Sequence, residues 1–195
     1  MKSRSYAGHA TTEGHIARNE LDTHADTCCA GANWALMELT GEVCEVTPFL
    51  DSYEPITEIP LARCGTVWTD PLTTQDYLLV GDQMLWFGSQ LSNSLLNPNQ
   101  IRAYGVGVFD NPFDPNTNFG VASDEAFIPF DTKGTIIYFE SRVPNEWELS
   151  HLPVILLTGE IWNPSDEIWR KKYEKQENIR DACDPSIYLW NHLSH

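Results

Sequence analysis

The chain has 195 residues, of which 42% are hydrophobic and seven are tryptophan, a content that is sufficient to build a folded core. Its formal net charge of −16 argues against binding to nucleic-acid phosphates, and no apolar run is long enough to cross a bilayer. Five cysteines without a disulfide spacing pattern, and a polar N-terminus without an apolar signal segment, predict an intracellular location, in the cytoplasm or the nucleus.

Residues 1–19 are polar and show no periodicity, which predicts an N-terminal tail. The chain from residue 20 onward has short apolar and β-branched runs that are separated by turn-forming residues. The residues from Asp70 to Thr74 favour a turn between two such runs, which predicts a hairpin. Strands are expected over 42–49, 61–69, 75–80 and 82–88.

A short helix is predicted after Asn97. Asn97 can cap the helix, Pro98 suits its first position, and Gly105 can end it in the left-handed conformation. Residues 110–125 are rich in Asn, Asp and Pro, and they predict a long loop that divides the chain. This loop could act as a lid or as a simple connector.

Residues 126–195 predict a β-rich segment that ends in a helix. Strands are expected over 135–139 and 154–157, after a turn at Lys133 and Gly134. A helix is expected near 164–182, because Asn163 can cap it and acid-to-base pairs four residues apart follow. We expect three tryptophans to hold this segment against the rest of the fold: Trp147, Trp162 and Trp169.

The most informative segment, residues 20–27, has the sequence Glu-Leu-Asp-Thr-His-Ala-Asp-Thr, in which Asp22 follows an apolar residue. It resembles the active-site segment of retroviral and retrotransposon aspartic proteases, which is apolar-Asp-Thr/Ser-Gly-Ala. Residues 94–101, Ser-Leu-Leu-Asn-Pro-Asn-Gln-Ile, resemble the Asn-Leu-Leu-Ser-x-x-Gln-Leu segment that ends copia-type protease regions. The chain is thus similar to the protease region of a copia-type retrotransposon Gag-Pol polyprotein.

This resemblance implies a mainly β fold. The expected architecture is a small closed retropepsin-like acid-protease barrel with a short helix and a C-terminal helix. Residues 20–109 would form the protease domain, and residues 110–125 the loop that follows it. Residues 126–195 would be a β-rich spacer with a C-terminal helix, packed on the barrel.

The same resemblance implies an aspartic endopeptidase that processes a retroelement polyprotein without a cofactor or a metal. The chain has one copy of the motif, so a homodimer would supply Asp22 twice. In such enzymes two carboxylates share one proton, because two like charges in close contact cannot both ionise. One carboxylate activates water and the other protonates the carbonyl oxygen of the peptide.

The other residues of the motif have implied supporting roles. Thr23 would form a hydrogen bond across the dimer, Ala25 would be small because the loop is crowded, and Asp26 would be structural. His24 stands where the family has Gly, which allows a tight turn, and a protonated imidazole would lower the pKa of the carboxylates. Asn97 likewise stands where the family has Gly after an apolar pair.

These departures leave a second hypothesis open, in which the chain is catalytically dead and serves as a dimerisation or peptide-binding domain. Asp22 would then only cap backbone amides in a turn. A third hypothesis is a metal site that uses His24 with Cys28 or Cys29. The chain has no Cys-x-x-Cys pair, and adjacent cysteines more commonly serve as small buried side chains.

The remaining motifs point to no other chemistry. Trp68, Trp86 and Phe87 could line a peptide groove, although aromatic residues on strands more often belong to the core. Neither Gly-x-Ser-x-Gly nor a phosphate-binding glycine loop is present in the sequence, which argues against a serine nucleophile and against a nucleotide site.

Overall fold

The computed structural model describes residues 11–47 and 52–166. One compact unit ends at Trp162 and a second begins at Asn163. In the described part of the second unit, residues 163–166, the Asn163 side chain accepts a hydrogen bond of 3.0 Å from the backbone N–H of Ser165. The helix predicted near 164–182 lies almost wholly outside the described residues.

The described residues form twelve strands and two short α-helices, which confirms the mainly β class. No helix among them is long and apolar enough to cross a membrane. The strands are β1 (Ile16–Leu21), β2 (Cys29–Ala30), β3 (Ala35–Val46), β4 (Ile56–Thr69), β5 (Asp76–Trp86), β6 (Ser94–Leu96), β7 (Gly107–Phe109), β8 (Gly120–Ala122), β9 (Phe127–Pro129), β10 (Asp131–Lys133), β11 (Ile136–Arg142) and β12 (Val154–Thr158). The helices are α1 (Pro98–Tyr104) and α2 (Glu148–His151).

Nine of these strands belong to one sheet, in the order β10-β11-β1-β6-β2-β5-β4-β3, with β12 paired to β5. β11 also pairs antiparallel with β4, where Arg142 lies opposite Val67. This pairing closes part of the sheet into a ring. Strands β11, β1, β6, β2, β5 and β4 therefore form a ring of paired strands. Strands β7, β8 and β9 form a separate three-stranded sheet.

The hairpin and the first helix follow local turn chemistry, and both predictions are confirmed. β4 and β5 pair antiparallel, and Asp70 in the turn accepts a hydrogen bond of 2.9 Å from the backbone N–H of Leu72. α1 starts after Asn97 and ends at Gly105, whose φ of 104° is left-handed. Glycine reaches such an angle without a steric cost.

The separation of 75–80 from 82–88 is wrong, because β5 runs through Gly81 as one strand. A Cβ at Gly81 would collide with the sulfur of Met84, which is buried beside it. The backbone bulges here, where Gln83 has a φ of 53° and the register with β4 shifts. Glycine at position 81 thus makes room for a core side chain and does not end the strand.

Two predicted boundaries also differ from the structure. β1 begins at Ile16, inside the segment predicted as a tail. The segment 110–125 contains β8, and it does not separate two cores. Val121 of β8 is fully buried, in the same hydrophobic cluster as Trp86 and Phe139 of the large sheet.

The tryptophans divide between core and surface. Trp68 and Trp86 are buried in the main core, and Trp86 also lines a surface pocket together with Leu36 and Val143. Trp147 is 60% exposed and its ring stacks on His151, one turn later in α2, while most of the C-terminal segment that it was expected to hold lies outside the described residues. Trp169 lies outside the described residues.

A buried cluster of polar side chains connects four strands of the ring. The Asn19 side-chain oxygen accepts hydrogen bonds from Trp34 Nε1 at 2.7 Å and from Asn33 Nδ2 at 3.0 Å. Ser94 Oγ donates to the Asn33 side-chain oxygen at 2.6 Å. The cluster, which we call the Asn19 cluster, contains Asn19 of β1, Asn33, Trp34, Thr66 of β4, Ser94 of β6 and Ser141 of β11.

The Asn19 cluster also reaches the pairing of β4 with β11 that closes the ring. The hydroxyls of Thr66 and Ser141 lie 2.6 Å apart, and Asn19 Nδ2 donates to Ser141 Oγ at 2.8 Å. Among the described residues, no buried side-chain nitrogen or oxygen lacks a hydrogen-bond partner. A shift of one residue in β1 would turn Asn19 to the opposite face and leave these groups unpaired, so the cluster fixes the register.

We expect Asn19→Leu to lower the free energy of unfolding by roughly 1–3 kcal/mol, since the buried Trp34 Nε1 loses its acceptor, whereas Asn33 Nδ2 keeps Ser141 and Ala17 as acceptors. Urea unfolding at equilibrium measures this change. The control is Asn118→Leu at an exposed position, which should change stability by less than about 0.5 kcal/mol. Equal stability of the two variants would contradict a structural role for the Asn19 cluster.

An ion-pair cluster joins the end of β11 to β5 and α2. The Arg142 guanidinium donates to Glu148 at 2.7 and 2.9 Å and to Asp76 at 3.0 Å. Glu148 also accepts the backbone N–H of Asn145 at 2.8 Å, while the Asn145 side chain accepts the N–H of Glu148 at 2.9 Å. Because Arg142 donates hydrogen bonds to its carboxylate, the pKa of Glu148 lies below its usual value.

This lowered pKa predicts how stability depends on pH. The contribution of Glu148 is complete above the pKa of the unfolded carboxyl, about 4.3, and is lost as the pH falls through the lower folded value. We therefore expect Glu148→Gln to be less stable than the wild type at pH 7, with a difference that shrinks below about pH 4.3. Thermal unfolding between pH 7 and pH 3 measures it, with the exposed Glu140→Gln as the control. A difference independent of pH would contradict the ion pair.

Candidate functional site

The segment that carries the motif, residues 22–28, is a loop between β1 and β2, and we call it the Asp22 loop. β1 pairs in parallel with β6, and Leu21 lies opposite Leu96. The backbone N–H of Asp22 continues this pairing with a hydrogen bond of 3.0 Å to the Leu96 carbonyl. The two segments that carry the family resemblance are therefore neighbours in the sheet.

The position of β6 decides the path of the Asp22 loop. β6 lies between β1 and β2, parallel to β1 and antiparallel to β2, with Cys29 opposite Leu95. The loop must therefore pass over the carboxyl end of β6, where Asn97 begins α1. Parallel strands end at the same edge of a sheet, so Asp22 and Asn97 leave the sheet together.

Asn97 connects the Asp22 loop to α1. Its side-chain oxygen accepts the N–H of Asn99 at 2.7 Å and that of Gln100 at 3.3 Å, so it caps the helix as predicted. Its side-chain nitrogen donates to the Ala25 carbonyl in the loop at 2.7 Å. Asn97 is 4% exposed. The side chain of Asn97 therefore holds the Asp22 loop directly.

Gln100 provides a second connection, one turn into α1. Its side-chain oxygen accepts the backbone N–H of Cys28 at 2.7 Å. Its side-chain nitrogen donates to the carbonyls of Gln83 at 3.1 Å and of Asp82 at 3.4 Å. Gln100 is 2% exposed, so these bonds are shielded from water. Gln100 has no predicted role in the sequence analysis. A polar residue on the buried face of a helix nevertheless indicates that its side chain has hydrogen-bond partners in the core.

Trp162 provides a third connection, which no local sequence signal indicates. Its indole Nε1 donates to the Asp26 carbonyl at 3.0 Å and to the Thr27 hydroxyl at 3.2 Å. Trp162 had been expected only to hold the C-terminal segment in place. It lies after β12, at the end of the first compact unit.

The side chains of the predicted site residues differ in exposure. Asp22 and Ala25 are half-buried, whereas Thr23, His24 and Asp26 are exposed. Asp22 Oδ1 accepts the backbone N–H of His24 at 2.8 Å, as in an Asx turn. The structure thus brings Asp22 to the rim of the loop, with its neighbours toward solvent.

The backbone of His24 tolerates a side chain. Among the described residues, the non-glycine residues with positive φ are Glu58, Thr74 and Gln83, so His24 is not in the left-handed region. The backbone at position 24 therefore accommodates a side chain without strain.

Cys28, the last residue of the Asp22 loop, and Cys29, the first residue of β2, are both buried. Burial raises the pKa of the Cys28 thiol to about 12. Burial, together with the nearby Asp22 and Asp26 carboxylates, also raises the pKa of Cys29 to about 12. Both thiols are therefore protonated at neutral pH, which opposes metal binding and nucleophilic attack.

The hypothesis of a metal site finds no set of ligands in the part of the chain that the structure describes. Within residues 11–47 and 52–166, no three His, Cys, Asp or Glu side chains are arranged to hold an ion. His24 is exposed while Cys28 and Cys29 are buried in two hydrophobic clusters. The cysteines serve as small core side chains.

A second hydrophobic cluster forms beside the Asp22 loop. Cys29, Ile59 and Leu85 are its buried members. Phe87, one of the residues considered for a peptide groove, is only half-buried and packs against this cluster. The partly buried side chains around it are Cys44, Val46, Leu61, Phe87, Leu91 and Leu95.

Comparisons with known proteins identify no relative of this chain. No protein-family model matches it. No curated protein and no solved structure matches it either. Functional inference therefore depends on the residues of the chain and on the geometry of the Asp22 loop.

Asn97 allows a test of how the Asp22 loop is held. We expect Asn97→Asp to keep the helix cap but lose the donor to the Ala25 carbonyl, and Asn97→Gly to lose both. The loss of a hydrogen-bonded cap costs about 1 kcal/mol, and an unsatisfied buried carbonyl costs roughly 1–3 kcal/mol. Urea unfolding should rank wild type above both variants, and the exposed Asn99→Gly is a control on the same helix.

The same measurement tests whether glycine can replace asparagine at position 97. If Asn97→Gly were as stable as the wild type, the side chain of Asn97 would not hold the loop. In that case glycine and asparagine at position 97 would give the fold the same stability.

Proposed function

We propose that the chain is a retropepsin-like aspartic endopeptidase domain that processes a retroelement polyprotein of the copia type. In this proposal, the ring of paired strands is the closed barrel of that protease fold. Each subunit of a homodimer supplies one Asp22, and the substrate is a peptide segment of the polyprotein. No cofactor takes part, and water is the nucleophile.

The observation that carries the proposal is the parallel pairing of β1 with β6. The motif at 20–27 and the segment at 94–101 were identified separately, from different parts of the sequence. In the structure Leu21 lies opposite Leu96, and Asp22 donates its N–H to the Leu96 carbonyl at 3.0 Å. A chance Asp-Thr dipeptide in an unrelated loop has no reason to adjoin the second segment.

The geometry of the Asp22 loop is suitable for catalysis. Three side chains from outside the loop hold its backbone, so the position of the carboxylate is defined before a substrate binds. Asp22 is half-buried and remains reachable. Thr23 is exposed, where it is available to a second subunit, and Ala25 adds little bulk beside α1.

Dimerisation would supply the chemistry that one subunit lacks. When two Asp22 carboxylates approach, one pKa rises and the other falls, and the pair holds one proton between them. The ionised carboxylate takes a proton from water, and the protonated one donates to the carbonyl oxygen of the peptide. Activity then requires the singly protonated pair, so we expect an acidic pH optimum.

A second candidate function, a non-catalytic dimerisation or peptide-binding domain, is favoured by one observation. Asp22 Oδ1 accepts the N–H of His24 at 2.8 Å, so the carboxylate already has a structural role as a cap of its own loop. A chain that had lost catalysis could keep Asp22 for this reason. Activity measurements separate the two functions.

We expect the wild type to cleave members of a peptide library between pH 4 and pH 7, with an acidic optimum and inhibition by pepstatin. Asp22→Asn should lower the cleavage rate by about 100-fold or more, because a general acid–base group is lost. The control is Asp26→Asn in the same loop, an exposed residue whose change should leave the rate within about threefold.

Sedimentation of each variant provides the second control, because only a dimer can contain two Asp22 residues. Equal cleavage by wild type and Asp22→Asn would show that another residue or a contaminant is responsible. If the folded, dimeric wild type cleaves nothing, the non-catalytic domain is the better account. His24→Gly then tests whether the histidine side chain prevents peptide cleavage.

A further inference from the structure

The chain after β12 is directed toward the Asp22 loop. Thr158, the last residue of β12, is buried and donates its hydroxyl hydrogen to the Asp82 carbonyl at 2.7 Å. Gly159 follows, and it lies against Tyr104 of α1: a Cβ there would come within 2.6 Å of the tyrosine ring. The chain therefore crosses closely over α1 before it reaches Trp162.

Trp162 then contacts the loop through a polar atom. Its Nε1 donates to the Asp26 carbonyl at 3.0 Å and to the Thr27 hydroxyl at 3.2 Å. The preceding carbonyl, of Ala25, accepts the hydrogen bond from Asn97. Two consecutive peptide groups of the loop are thus held by side chains from two distant segments.

A second set of hydrogen bonds connects the end of β12 to the Asp22 loop. The Asp82 carbonyl accepts hydrogen bonds from both Thr158 Oγ1 and Gln100 Nε2, at 2.7 and 3.4 Å. Gln100 in turn accepts the backbone N–H of Cys28. β12 is therefore connected to the end of the Asp22 loop at Cys28, and Trp162 is connected to its middle.

We infer that Trp162 is a positioning residue for the Asp22 loop, and that residues 159–162 belong to the functional unit. The indole N–H is a donor only, and its hydrogen bond restrains the peptide plane after Asp26. That restraint limits the orientations open to residues 22–26 and hence to the Asp22 carboxylate. The inference rests on the proposed function for its catalytic meaning, and it places the end of the unit well beyond the predicted limit of 109.

Hydrogen exchange of the full chain tests the restraint without reference to activity. Trp162→Phe removes the indole N–H and keeps an aromatic ring. Trp147→Phe makes the same change at an exposed ring that stacks on His151. We expect Trp162→Phe to speed amide exchange in peptides covering 22–28 by about three- to tenfold, the equivalent of one hydrogen bond. Peptides from the β4–β5 hairpin should exchange at the wild-type rate in both variants.

Cleavage kinetics test whether the restraint positions the catalytic group. We expect Trp162→Phe to lower kcat by about three- to tenfold with KM nearly unchanged, because positioning of Asp22 is impaired while the substrate contacts remain. A purely structural role would lower the urea midpoint and leave the kcat of the folded fraction unchanged. Trp147→Phe should match the wild type in both kinetic constants.

The outcomes separate this inference from the proposed function. Unchanged exchange at 22–28 in Trp162→Phe overturns the inference, whatever the activity. Faster exchange together with a normal kcat also overturns it, since the restraint then has no catalytic effect. If the wild type cleaves nothing, the proposed function and the catalytic meaning of Trp162 fail together, and exchange alone decides whether Trp162 holds the loop.

Discussion

The hydrogen bonds around Asn19 hold together the strands on which the candidate site depends. Asn19 lies at the centre of β1, three residues before Asp22, and is completely buried. An amide in that environment is tolerated only when its donors and acceptors are paired, and Asn33, Trp34 and Ser141 provide the partners. Any other register of β1 would remove these partners. The hydrogen bonds therefore fix where β1 ends relative to the neighbouring strands.

The site follows from that position. β1 and β6 run parallel, so their carboxyl ends present Asp22 and Asn97 at the same edge of the sheet. The loop that leaves β1 is then held by Asn97, Gln100 and Trp162, through bonds to its backbone. These bonds use backbone carbonyl and amide groups of the loop and not the Asp22 carboxylate, which accepts the N–H of His24. A rigid backbone with a reachable carboxylate is the arrangement that acid–base chemistry requires.

Predictions from the sequence succeeded where local chemistry decides the structure. The turn after β4 and the cap of α1 depend on side chains that bind backbone groups within four residues of themselves. A short stretch of sequence is therefore enough to predict both. The start of β1 was misplaced because Asn19 is polar, and polarity in a sequence usually indicates exposure. Its partners are distant in the chain, so no local pattern indicates that it is buried.

The same distinction applies to the candidate site. The sequence motif drew attention to the Asp22 loop because the consecutive residues of that loop are themselves the motif. The residues that hold the loop were not predictable in the same way. Asn97 was identified as a cap but not as a partner of Ala25, and Trp162 contacts Asp26 across more than half of the chain. Contacts of that kind depend on the fold and not on spacing.

The central claim is that two copies of Asp22 form one catalytic pair, and the distance between them in a crystal structure of the dimer tests it most directly. The account predicts that the two carboxylates share a proton, with an oxygen-to-oxygen distance of about 2.5–3.0 Å across the two-fold axis. A dimer that keeps the two Asp22 loops apart, beyond the reach of a shared proton, would contradict it.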